Sequence, residues 1–221
     1  MAGSNSFFAR KEQSDFIQRV YREAPPIIQK FFAQENKLLE SALSGCPGVL
    51  EVGCGFGREA ELLPEITHYY GIDIGLKYVV EAKVRFPGKN WICANAARLP
   101  FSDHTFDAAF LVQNTLGNME GVEEQVFSEC LRVVRSGGKL IVSVYSEDSF
   151  EIRRLWYDRL IDLGIFGRVW LASPKIARSD TGWSSRCFER EELKAFFASG
   201  IQALEITKID SFFYFCVGVV A

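Results

Sequence analysis

Nine residues constrain this chain most: Val49-Leu50-Glu51-Val52-Gly53-Cys54-Gly55-Phe56-Gly57. A short apolar run ends in glycines at alternate positions, and a helical pattern starts directly after them, at Arg58 to Pro64. Such a loop must turn tightly and bring its backbone against a ligand, where side chains would block the approach. The amides at the start of the next helix add a favourable dipole. Strand, glycine loop and helix in that order are one unit of a parallel α/β sheet.

The same alternation continues downstream. Strands are expected at Val49 to Val52, His68 to Ile74, Trp91 to Ala94, Phe106 to Val112 and Leu140 to Tyr145. Helices are expected at Leu76 to Arg85, stopped by Phe86-Pro87-Gly88, and at Glu120 to Val134, where Val122, Val126, Phe127, Cys130 and Val134 recur at helical spacing. Gly137-Gly138 is expected to turn the chain into the fifth strand. Repeated strand–helix–strand units mean a mostly parallel sheet with helices on both faces. Near the end, Glu191 to Ala198 reads as a helix. Ala203 to Ile209 and Phe212 to Val220 read as strands joined by a short turn, which forces an antiparallel pairing.

The fold expected is therefore α/β: a seven-stranded, mostly parallel sheet with an antiparallel last strand. The 221 residues fit one domain. Within it, 5–44 is an N-terminal helical lid broken at Pro25-Pro26, and 48–145 is the core. A helical insertion spans 147–187, and a helix and strand pair span 188–221. The insertion holds Trp156, Trp170 and Trp183, as core of the lid or as pocket wall.

Composition narrows the function. A net charge of -3 argues against a large nucleic-acid footprint, which needs clustered Lys and Arg. The six cysteines form no C-x-x-C pair and resemble neither a zinc framework nor a secreted disulfide scaffold, so reduced thiols and a cytoplasmic setting are expected. No apolar run is long enough to cross a bilayer. No metal-binding constellation is apparent, and His68 and His104, the two histidines, give no clear general base. Asp107 reads as structural. A monomer and a homodimer both fit, the phenylalanine-rich last strand being one surface on which copies could meet.

Two ligand classes use such a glycine loop. A dinucleotide site prefers G-x-G-x-x-G. Here the third glycine comes one place early, and Arg58 stands where the last would be. Glu51 fits poorly beside a pyrophosphate and well beside a cationic ligand.

The motif E-V-G-C-G-F-G resembles the first motif of the class I (Rossmann-like) S-adenosylmethionine (SAM)-dependent methyltransferases. Asp73, closing Tyr70-Gly71-Ile72-Asp73, stands where that family has its ribose-binding acid. Asn95-Ala96-Ala97-Arg98-Leu99-Pro100-Phe101-Ser102-Asp103, running on to Asp107, resembles the D-A-x-x-L-P-F-x-D stretch of the quinone-methylase-like branch, with Asn95 replacing the usual Asp. The resemblance covers 48–145 in motif order and spacing, and the ends only in topology.

The resemblance implies SAM as cofactor and methyl transfer to a small organic acceptor. It assigns the cofactor to Glu51, Gly53, Cys54, Gly55, Gly57 and Arg58 on the loop. Asp73 and Ile74 follow at the second strand, Asn95 and Ala96 at the adenine edge, and Gln113 after the fourth strand. Substrate candidates are Tyr21, Asn114 and Tyr145, each of which also reads as ordinary packing or turn chemistry. No catalytic residue is singled out. Cyclisation of SAM, aminopropyl transfer and non-catalytic SAM binding remain as alternatives on the same fold.

Overall fold

The computed structural model describes residues 16–221, so 5–15 of the expected lid lie outside the described residues. Two helices come first, α1 (Phe16–Arg22) and α2 (Pro26–Leu43). Pro26 sits at the first turn of α2, where its missing N–H costs nothing and its fixed φ favours the helix. The α2 stripe Ile28, Phe31, Glu35, Leu39 and Leu43 is buried.

The core follows as β1 (Gly48–Val52), α3 (Arg58–Leu62), β2 (His68–Asp73), α4 (Leu76–Arg85), β3 (Asn90–Cys93), β4 (Phe106–Leu111), α5 (Glu123–Val133) and β5 (Val134–Tyr145). After it come α6 (Phe150–Asp162), β6 (Val169–Ser173), β7 (Ile176–Ser179), β8 (Ser184–Arg186), α7 (Arg190–Phe196), β9 (Ile201–Ile209) and β10 (Phe213–Val220).

The main sheet has seven strands in the order β3-β2-β1-β4-β5-β10-β9. Pairings from β3 to β5 are parallel, and β10 lies antiparallel to both β5 and β9. Side chains alternate across it because strand periodicity is two. Val49, Tyr69, Phe110, Ile141 and Phe215 face a core shared with α1, α2 and α6. Leu50, Ile72, Ala109, Val142 and Cys216 face a second core filled from α5 and α7. Asp107 accepts the Gly48 N–H at 2.7 Å and pairs with Arg135, tying β4 to the start of β1.

Three expectations change. The insertion is only half helical: after α6 it forms a separate antiparallel sheet, β6-β7-β8. Gly137-Gly138 lies inside β5 rather than ahead of it. The β4–β5 register shifts there, and a Cβ on Gly138 would sit 2.7 Å from the Asp107 carbonyl oxygen. The phenylalanine-rich last strand is interior, flanked by β5 and β9, so its pairing edges are already taken within the chain.

Candidate functional site

The chain leaves β1 for β2 and β3 on one side of the sheet and returns to β4 on the other. That reversal opens a crevice at the carboxyl ends of β1 and β4. The principal cavity lies there. The glycine loop forms one wall. Gly53 and Gly55 adopt φ of 78° and 50°, in the left-handed region that glycine enters without a Cβ clash. A Cβ on Gly55 would meet nothing nearer than Ile17 Cδ1 at 3.7 Å, so a larger side chain there would extend into the cavity.

Gly57 has a different task. It does not line the cavity, and a Cβ there would lie 2.8 Å from the Trp91 ring and 3.1 Å from Phe86. It permits helix–strand packing at the start of α3.

Asp73 ends β2 and borders the cavity. Its carboxylate accepts Gly55 N–H at 2.9 Å and Gly75 N–H at 2.8 Å, cross-linking the ends of β1 and β2. Burial raises its pKa, while those amides oppose the shift. A carboxylate has about four acceptor positions, so capacity for hydroxyl donors remains. Ile74, Asn95 and Ala96 line the adjoining wall. Asn95 Oδ1 accepts Ala97 N–H at 2.9 Å, a local Asx turn that leaves its amide N–H groups for other partners.

Behind the loop lies a buried acidic cluster. Glu51, Glu59 and Glu35 are 2%, 5% and 3% exposed, and Arg58 is the cation among them. Arg58 pairs with Glu59, lies 3.9 Å from Glu35, and stacks on Tyr21 and Phe32 at 5.0 and 5.5 Å. Glu51 accepts a hydrogen bond from Tyr69. Burial, reinforced by Glu59, holds the Glu51 carboxyl well above the usual carboxylate range. Burial pushes Glu35 up to about 7, opposed first by Arg58. Among the described residues, three acids stand against one guanidinium in this corner. Burial also raises the Cys54 thiol, so the loop cysteine is a small apolar wall residue.

After β4, Gln113 and Asn114 have φ of 56° and 57°, unusual for residues with side chains. Gln113 lines the cavity, and Glu35 holds both its backbone N–H and its side-chain amide. Asn114 lies off the principal cavity, which corrects its placement at the substrate. It is 1% exposed, donates to Ser185 Oγ at 2.9 Å and accepts the Tyr145 N–H at 3.0 Å. It fastens β4, β5 and β8 together.

The opposite wall is aromatic. Tyr145 from β5, Tyr21 from α1, and Trp156 and Tyr157 from α6 line it with Phe166 and Trp183. Two buried residues behind these walls, Glu35 and Arg153, were not among the sequence candidates. Both interrupt apolar stripes at helical spacing. The stripe Arg153, Trp156, Tyr157 and Leu160 parallels the one on α2.

The sheet order, the single antiparallel strand and the glycine loop at the switch point define the class I methyltransferase fold. Residues 50–142 match the family model described as a methyltransferase domain. An uncharacterised protein of Methanocaldococcus jannaschii is 34% identical over 139 residues, 63% of this chain and 54% of its own. The demethylmenaquinone methyltransferase of Renibacterium salmoninarum is 29% identical over 164 residues, 72% of this chain and 65% of its own. The chain thus spans less than two thirds of the length of either. A crystal structure of a SAM-dependent methyltransferase from Thermotoga maritima, described as a possible histamine N-methyltransferase, superposes with a TM-score of 0.71. It covers 98% of this chain and 99% of that one at 19% identity, a likeness of fold.

Proposed function

We propose that this chain is a SAM-dependent methyltransferase acting on a small organic molecule. The observation that carries the reading is the buried acidic corner beside the glycine loop. Glu59 pairs with Arg58, Glu35 lies 3.9 Å from it, and Glu51 is buried beside them with a hydrogen bond from Tyr69. A ligand bearing a sulfonium and an ammonium supplies the missing positive charge, whereas a pyrophosphate would add repulsion. The Gly55 wall, where a Cβ meets only Ile17, fits a ligand lying against the backbone.

When bound, SAM supplies a methyl group already activated on its sulfonium. Asp73 has acceptor positions for the ribose hydroxyls. Asn95 and Ala96 would hold the adenine edge, with the Asn95 amide as polar partner. Glu51 would take the cationic end, and Gly53, Cys54 and Gly55 would form the surface against it. Gln113 closes the cavity after β4. Tyr21, Tyr145 and the insertion aromatics hold the acceptor and exclude water, which is the main work left to the protein when the methyl is pre-activated.

Calorimetric titration with SAM and, separately, NAD tests the cofactor. SAM alone should bind. An acceptor screen then follows the product: S-adenosylhomocysteine marks methyl transfer, and methylthioadenosine would overturn it. Six unpaired cysteines support a reducing, cytoplasmic setting. Among the described residues no helix is long and apolar enough to cross a membrane.

A further inference from the structure

The two ends of the cavity carry opposite buried charge. At the insertion end Arg153 is 0% exposed, and among the described residues no carboxylate pairs with it. Its Nε has no hydrogen-bond partner. The guanidinium lies 4.6 Å over the Tyr145 ring. Nη1 donates to Tyr157 Oη at 3.2 Å and to Ser185 Oγ at 3.4 Å. A buried guanidinium without an anion is costly, and such charges are ordinarily paired.

The hydrogen-bond directions around it are restrictive. Ser185 Oγ accepts from Asn114 Nδ2 at 2.9 Å and from Arg153, which fills both its lone pairs. Tyr157 Oη accepts from Arg153, and among the described residues its own proton has no acceptor, so it is free to donate. Tyr157 lines the cavity, whereas Arg153 stands behind it. Around the Tyr157 ring stand Trp183, at 5.2 Å between centroids, and Phe166, at 6.3 Å.

We infer that the acceptor is an aromatic carboxylic acid whose carboxylate is received by the Tyr157 hydroxyl, with Arg153 as the positioning residue that polarises it. The inference rests on the methyltransferase reading and adds the substrate class. The carboxylate is a recognition handle. It supplies the charge Arg153 lacks, and the flat aromatic body fits between Tyr145, Trp156 and Trp183. The cationic cofactor and the anionic acceptor thereby sort to opposite ends of one cavity by charge.

The test is calorimetry at saturating S-adenosylhomocysteine with three matched sets of probes. These are phenylacetate, phenylacetamide and phenethylamine, then the indole-3-acetate and naphthalene-1-acetate sets. At least one acid should bind, about 10-fold or more tighter than its amide, as a charge-assisted hydrogen bond implies. Arg153→Met should bring that ratio near one and Arg153→Lys should restore most of it, with S-adenosylhomocysteine affinity unchanged in both. If Arg153→Met does not fold, Tyr157→Phe must erase the preference. An amide or amine binding as tightly as its acid overturns the inference, as does no acid binding while S-adenosylhomocysteine binds. The titrations are repeated without S-adenosylhomocysteine. Failure of that ligand alone strikes the methyltransferase reading, and the acid-to-amide ratio still decides the carboxylate.

Discussion

The carboxylate of Glu35, on α2, accepts the backbone N–H of Gln113 at 3.1 Å. This bond fixes a left-handed residue after β4, and the other Glu35 oxygen holds the Gln113 side chain. The N-terminal helices are therefore wired to the cavity wall as well as packed over it. Glu35→Ala should leave the Gln113 N–H and the Ser143 hydroxyl without their acceptor, costing about 2–4 kcal/mol. Urea unfolding measures the loss. SAM affinity should weaken several-fold in the folded variant, and an unchanged affinity would separate Gln113 from the site.

Asp73 ties β1 to β2 and, in the proposed function, also receives the ribose. Asp73→Ala removes the acceptor of Gly55 and Gly75, so stability should fall by about 2–3 kcal/mol along with SAM binding. Asp73→Asn keeps one amide acceptor and should recover part of the stability. Its SAM affinity should remain at least about 10-fold below the parent, since one acceptor oxygen cannot serve both the loop and the ribose. Binding equal to the parent in Asp73→Asn would remove the ribose assignment.

The sheet was legible from the sequence because strand runs, glycine loops and helical periodicity repeat in order. The glycine-loop wall of the cavity was legible for the same reason, since its residues sit at strand ends. The insertion was misread as helical because Val169–Ser173 and Ser184–Arg186 are short and mostly polar or exposed, so neither shows a core-facing alternation. Glu35 and Arg153 were missed although their signal is present: each is a charge on an otherwise apolar helical face. Periodicity marks that face as buried, but only the packed neighbours show what the charge meets. Asn114 was misplaced because a turn asparagine looks alike in sequence whether it meets a ligand or Ser185.

Gly55 and Gly57 should separate experimentally. Gly57→Ala puts a Cβ against Trp91 and Phe86 at a φ of 82° and should cost about 2 kcal/mol or more, from overpacking and left-handed strain. Its folded fraction should still bind SAM within a few-fold. Gly55→Val should fold with a smaller loss, about 1–2 kcal/mol from backbone strain, yet lose SAM binding because the side chain extends into the cavity. Thermal unfolding beside calorimetry distinguishes the two. Normal SAM binding by folded Gly55→Val would sink the loop assignment.

Asn114→Ala is expected to be a stability variant. It strips the Ser185 and Tyr145 contacts and leaves a residue less suited to φ near 57°, for a loss of about 2–3 kcal/mol. SAM affinity of the folded protein should hold within about 2-fold, a difference well under 1 kcal/mol. A selective loss of cofactor binding without a stability change would return Asn114 to the ligand.

The acidic corner should make cofactor binding release protons. Glu35 faces Arg58 and Glu59 from α3, Ser143 from β5 and the Gln113 amides, and its pKa rises from 4.5 to about 7. Glu51 faces Glu59, Arg58 and Tyr69, and is raised well above 4.5. Both raised carboxyls bind more protons folded than unfolded, so their contribution to the free protein's stability is greatest below about 4.5. It falls as pH rises through the folded values, reached by Glu35 at about 7. A cationic ligand favours the ionised acids, which reverses the trend for binding. Between about pH 5.5 and about 7, SAM affinity should rise with pH, and its binding enthalpy should vary with the ionisation enthalpy of the buffer in the direction of proton release. Glu35→Gln should flatten the part of that rise nearest 7. Proton uptake on binding, or an affinity independent of pH over this window in the parent protein, would mean that the acids do not face the cofactor's charge.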